Sequence, residues 1–167
     1  PLTPWQECTS SHEDYPQANT GYFILSTISE ALLVKPGLDE RHLGRAFEAL
    51  CQRHDVTRVQ FRKLSGKWMC TINEAHPLGV EVHDYRGVAK EELNQIALTH
   101  ARCPLEMDEP ALVRLDLLKF GEHGDVVVFR GQHSVADGFA SALLMEDLIK
   151  LVLRQPAQGP ALSYADY

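Results

Sequence analysis

From Tyr22 to Val34 the chain reads YFILSTISEALLV, rich in β-branched and aromatic residues and closed by Lys35-Pro36-Gly37. This pattern predicts a long strand that ends in a turn. The period then changes. In LDERHLGRAFEALCQRH, Leu43, Ala46, Phe47 and Leu50 recur at i, i+3, i+4 and i+7, one face of an amphipathic helix. Asp39 and Glu40 at its start and Arg53 and His54 at its end suit the helix dipole. TRVQFRK and KWMCTI, separated by Leu64-Ser65-Gly66, predict a hairpin with glycine in the turn. VEVHDY alternates briefly, and VAKEELNQIALTHA predicts a second helix with Leu93, Ile96, Ala97 and His100 along one stripe.

CPLEMDEP carries two prolines and resists regular structure. Alternation returns in ALVRLDLLKF, with Ala111, Val113, Leu115 and Leu117 on one face. After the glycine-bounded turn GEHGD, the apolar run DVVVF predicts a buried strand paired with it as a hairpin. A last helix is expected from about Gly138 to Arg154, with Leu143, Leu144, Leu148, Leu151 and Val152 as its core stripe. No internal repeat is present. Helices and strands mix without a strict βαβ rhythm, which predicts an α+β fold with a mixed β-sheet packed with helices.

At 167 residues the chain is long enough for one domain with a sizeable core and short for two, so residues 1–167 are read as a single domain. A net charge of −7 without a basic run argues against nucleic acid or an anionic membrane as partner. No apolar stretch approaches the length of a spanning helix, and the polar start PLTPWQECTSSHEDYP lacks a signal-peptide core. A first residue other than Met points to a piece of a longer chain. The four cysteines are scattered without a CxxC pair, as in a reduced cytoplasmic protein. The histidines show no HExxH-type spacing, so no metal ligands are expected, and no glycine-rich nucleotide loop occurs.

Chemistry concentrates in RGQHSVADGFAS, residues 130–141, between the last predicted strand and the last helix. A neutral imidazole at His133 can take and return a proton near neutral pH. Asp137, four residues on, stands where a carboxylate caps a helix. Gly138 offers close approach, and Arg130 shares a strand face with Gln132. The spacing alone also fits a helix cap beside a polar loop residue.

The order strand, Gly131, His133, Asp137-Gly138, helix carries a resemblance. QHSVADG resembles the HHxxxDG motif of nonribosomal peptide synthetase condensation domains, in the chloramphenicol-acetyltransferase-like superfamily. LTPWQE at residues 2–7 resembles that family's first motif, RHDVTRVQF at 53–61 its RHE-x-LRT-x-F segment, and CPLEMDEPALVRLDLLKF its approach to the motif. The closing SYADY is similar to the start of its Y-x-DYA motif.

The resemblance implies the amino-terminal lobe of a two-lobed domain whose carboxy-terminal lobe is absent, with the active site between the lobes. It implies acyl transfer from a phosphopantetheine thioester on a carrier protein to an amine or hydroxyl, with His133 as the catalytic residue and no cofactor bound by the chain itself. Asp137 is implied to be structural, in a buried ion pair for which Arg58 is the candidate, and Gly138 to leave room for substrate. Gln132 stands where the family has its first His. That departure keeps two alternatives open: an O-acyltransferase of the same superfamily using acyl-CoA or carrier-bound donors, and a catalytically silent lobe that docks carrier proteins. Implied partners are carrier proteins and the missing lobe, and an uncovered lobe face makes self-association plausible.

Overall fold

The computed structural model describes residues 27–157. LTPWQE, the first part of the expected opening strand, and SYADY lie outside the described residues. Within them, β1 (Thr27–Val34), β4 (Glu81–Asp84), β5 (Val113–Lys119) and β6 (Asp125–Gln132) form one sheet in the order β1-β6-β5-β4. β6 runs antiparallel to both neighbours and β4 parallel to β5, so the sheet is mixed. β2 (Val59–Leu64) and β3 (Lys67–Ile72) make the expected hairpin as a separate two-stranded sheet, turning at Ser65-Gly66.

α1 (Glu40–Arg53) begins where Asp39 accepts the backbone N–H of His42 at 2.7 Å. α2 (Leu93–Ala101) follows a short 3-10 turn, and α3 (Gly138–Val152) follows β6. α1 and α3 cover one face of the sheet, where Leu43, Phe47, Leu50, Leu144 and Leu148 pack on Val113, Leu115, Leu117, Val127 and Phe129. α2 covers the other, with Leu93 against Leu118, Phe120, Val126 and Val128. Each large apolar side chain so buried contributes about 1.5–3 kcal/mol of transfer free energy.

Cover on both faces explains one departure from the sequence pattern. β5 does not bury one face only: Asp116 and Leu118 are fully buried beside Leu115 and Leu117. On α3 the expected Leu144, Leu148, Leu151 and Val152 do pack in the core, but the stripe is wider than expected on one side and lacks Leu143. Leu143 is exposed, while Ser141, Met145 and Asp147 are buried with Leu144 and Leu148. The β5–β6 turn needs its glycine: Gly124 has φ +95°, and a Cβ there would lie 2.6 Å from the Val34 carbonyl oxygen.

Candidate active site

Gln132 ends β6 and is fully buried, its N–H donating to the Leu112 carbonyl at 2.8 Å. Its own carbonyl accepts the N–H groups of Val135 (3.0 Å) and Ala136 (3.2 Å). Its side-chain Oε1 accepts the N–H of Ser134 at 2.5 Å and the Ser134 hydroxyl. One residue thus closes the turn around His133 with backbone and side chain together. The turn folds inward, burying Ser134, Val135 and Ala136, and leaves His133 partly exposed. Gly131 makes the inward fold possible, because a Cβ there would stand 3.2 Å from the Ala136 Cβ.

Asp137 is exposed and caps α3, accepting the N–H of Ala140 at 2.7 Å in extended backbone geometry. The expected buried pair with Arg58 does not form. Arg58 sits in the 3-10 turn Asp55–Arg58 and donates through Nε to the Cys51 carbonyl at 2.9 Å and through its terminal nitrogen to the carbonyls of Asn73 and Glu74. Three carbonyls draw the guanidinium across to the end of β3, so its work is to tie α1 to the hairpin. At Gly138 an added Cβ meets nothing within 4 Å, so packing within the described residues does not require the glycine.

Two ionic clusters are buried in β6 and α3, the elements on either side of the turn, and neither shows in the apolar pattern. Arg130, one strand alternation before Gln132, donates to both oxygens of the fully buried Asp116 at 3.0 and 3.3 Å. Asp147 on α3 accepts from Arg53 at 3.1 Å and lies 2.9 Å from Nε2 of His54. Burial alone would raise the Asp147 carboxyl, but hydrogen bonds from His54 and Arg53 outweigh it and hold it below the ordinary carboxylate range. His54, expected only to suit its helix dipole, is therefore a bridge between α1 and α3.

Among the described residues, the buried Cys51 is poorly suited to act as a nucleophile. Burial pushes the Cys51 thiol up to about 11, which keeps it protonated at neutral pH. Cys103, expected at the end of an apolar helical stretch, is exposed beyond α2. His133 is the imidazole presented at the joint of strand and helix. It can accept a proton from, or hydrogen-bond, a nucleophile that reaches this face.

The sequence model for the Condensation domain matches residues 1–167. Surfactin synthase subunit 2 of Bacillus subtilis (strain 168) is 25% identical over 167 residues, all of this chain and 4% of that protein. The crystal structure of SgcC5 from Streptomyces globisporus, in complex with (R)-(-)-1-(2-naphthyl)-1,2-ethanediol and sucrose, is 25% identical with a TM-score of 0.79. The match covers 99% of this chain and 40% of SgcC5. The X-domain in its complex with OxyB from teicoplanin biosynthesis superposes with a TM-score of 0.81 at 21% identity, over the whole chain and 36% of that structure.

Proposed function

This chain belongs to the condensation-domain family, and from that premise we propose that it carries the His133 side of an acyl-transfer site. The reaction joins a carrier-bound acyl thioester to an amine or a hydroxyl in nonribosomal peptide or hybrid polyketide–peptide biosynthesis. The observation that carries this reading is the Gln132–Ser134 clamp, which holds the turn bearing His133 just past the end of β6 and leaves that residue partly exposed. As the acceptor nitrogen or oxygen bonds to the acyl carbon, His133 takes its proton or holds it in line. The C–S bond breaks, and the phosphopantetheine thiolate leaves and is protonated. A neutral imidazole serves either role, and no covalent enzyme intermediate is needed.

The chain would act as the amino-terminal lobe of a larger domain in the cytoplasm. Its partners would be carrier proteins and a carboxy-terminal lobe supplying the other wall of the site. Among the described residues no helix is long and apolar enough to cross a membrane. Gln132 in place of the first motif His favours a second reading, transfer to a hydroxyl, and the diol bound to its relative SgcC5 supports it.

The test uses the two-lobed parent protein with acyl-loaded carrier protein or acyl-CoA, each offered an amine or an alcohol and read by mass spectrometry. Amide or ester product that disappears in His133→Ala, with folding intact by circular dichroism, is the expected result. Unchanged turnover in that variant overturns the catalytic role. No product with any pair favours a silent carrier-docking lobe.

A further inference from the structure

Behind the active-site strand, on the α2 face of the sheet, three elements bring together groups that sequence spacing keeps apart. His83 of β4, His100 of α2 and Asp116 of β5 each point one ligand atom into a common space, all three atoms within 4.8 Å of one another. His100 Nδ1 stands 3.2 Å from Asp116 Oδ2. Two ligands on a tetrahedral zinc with bonds near 2.0–2.1 Å are about 3.3 Å apart, so this pair is already at coordinating separation. His83 Nε2 is buried and has no hydrogen-bond partner among the described residues. Such an atom is costly to bury unless something satisfies it. Glu81 Oε2 lies 3.9 Å from it, and Glu81 is directly across from Asp116 in the parallel β4–β5 register, placing a second carboxylate at the rim.

The surroundings are those of a supported metal site. The Tyr85 hydroxyl lies 2.9 Å from His100 Nε2, where it can accept the ring N–H and leave Nδ1 free to ligate. Arg130 donates to Asp116, and Arg114 donates to Glu81 Oε1 at 2.9 Å, orienting both carboxylates. The two arginines offset the two acids, which limits affinity and makes this a site of moderate strength.

We propose that His83, His100 and Asp116, with Glu81 at the fourth position, bind a divalent zinc-class cation that joins β4, α2 and β5 behind β6, the strand that leads into the His133 turn. The role is structural; no step of acyl transfer passes through it.

Isothermal titration of zinc chloride into chelator-stripped protein tests it. The expected result is one ion per chain at micromolar or tighter affinity, weakened more than about tenfold in His83→Ala and unchanged in His123→Ala. X-ray absorption at the zinc edge should show imidazole nitrogen and carboxylate oxygen only. Absence of binding, full binding by His83→Ala, or a sulfur shell from a cysteine overturns the proposal. Should His83→Ala fail to fold, the absorption spectrum of the zinc-loaded parent decides alone.

Discussion

Gln132 Oε1 accepts the backbone N–H of Ser134 at 2.5 Å, so the residue before His133 holds the residue after it. The same oxygen takes the Ser134 hydroxyl, and both partners are buried. What the position requires is an acceptor, which a neutral histidine ring nitrogen also supplies. Gln132→Leu would strand a buried N–H and a buried hydroxyl and should cost on the order of 2 kcal/mol in urea unfolding. Gln132→His should retain much of that stability. Equal unfolding midpoints for the two variants would show that the acceptor is not what the turn uses.

Asp137 and Arg58 act apart, and a double-mutant cycle reads this directly. Asp137→Ala removes the α3 cap at a cost of about 1 kcal/mol, and Asp137→Ser should recover most of it. Arg58→Ala frees the Cys51, Asn73 and Glu74 carbonyls at another end of the molecule. The two costs should add to within about 0.5 kcal/mol. A coupling well beyond that would restore the ion pair that the structure does not form.

Gly131 is set by contact, since it lies within β6 and its φ is not in the left-handed region. A methyl 3.2 Å from the Ala136 Cβ forces the inward turn to move by a few tenths of an ångström. Gly131→Val adds more bulk and should destabilise by about 1–3 kcal/mol. Because the turn carries His133, turnover in the acyl-transfer assay proposed above should fall further than stability explains. Wild-type turnover in a folded Gly131→Val variant would uncouple the turn from the chemistry.

Periodicity located α1, the β2–β3 hairpin and the β5–β6 hairpin, because each has one strongly patterned face or a turn-forming glycine. On α3 it found four of the five core residues but missed the buried polar ones, for a physical reason. Asp147 faces the interior to meet Arg53 and His54, and a pattern reader assigns a carboxylate to the solvent side. Arg130 and Asp116 escaped in the same way, buried as a pair across neighbouring strands. The motif order was legible because strand, turn and helix are contiguous. The assignment of Arg58 to Asp137 was not, since nothing local says which of many acceptors a guanidinium meets. His83, His100 and Asp116 could be joined only by the parallel β4–β5 pairing and the helix over it.

Stability should fall on the acid side of neutrality through His76. Its Nε2 lies 3.0 Å from the Val113 carbonyl, and its Nδ1 lies 2.5 Å from the Leu78 carbonyl and 3.2 Å from the Leu78 N–H, in a largely buried setting. Burial is the largest influence and lowers its pKa below the ordinary 6.5; the carbonyls of Leu78 and Val113 oppose it, and Arg114 adds to it. With the folded value depressed, the unfolded chain takes up the proton first as pH drops. The contribution is therefore complete above about 6.5 and is lost between there and the lower folded value. Asp147, also depressed, acts in a separate window, its contribution lost only as pH falls through the carboxylate range. Melting temperature should be level from pH 8 to 7 and decline below 6.5. His76→Gln should lie lower at pH 7.5 but decline less steeply between pH 6.5 and 5. An identical slope in parent and variant would assign the acid sensitivity to other groups.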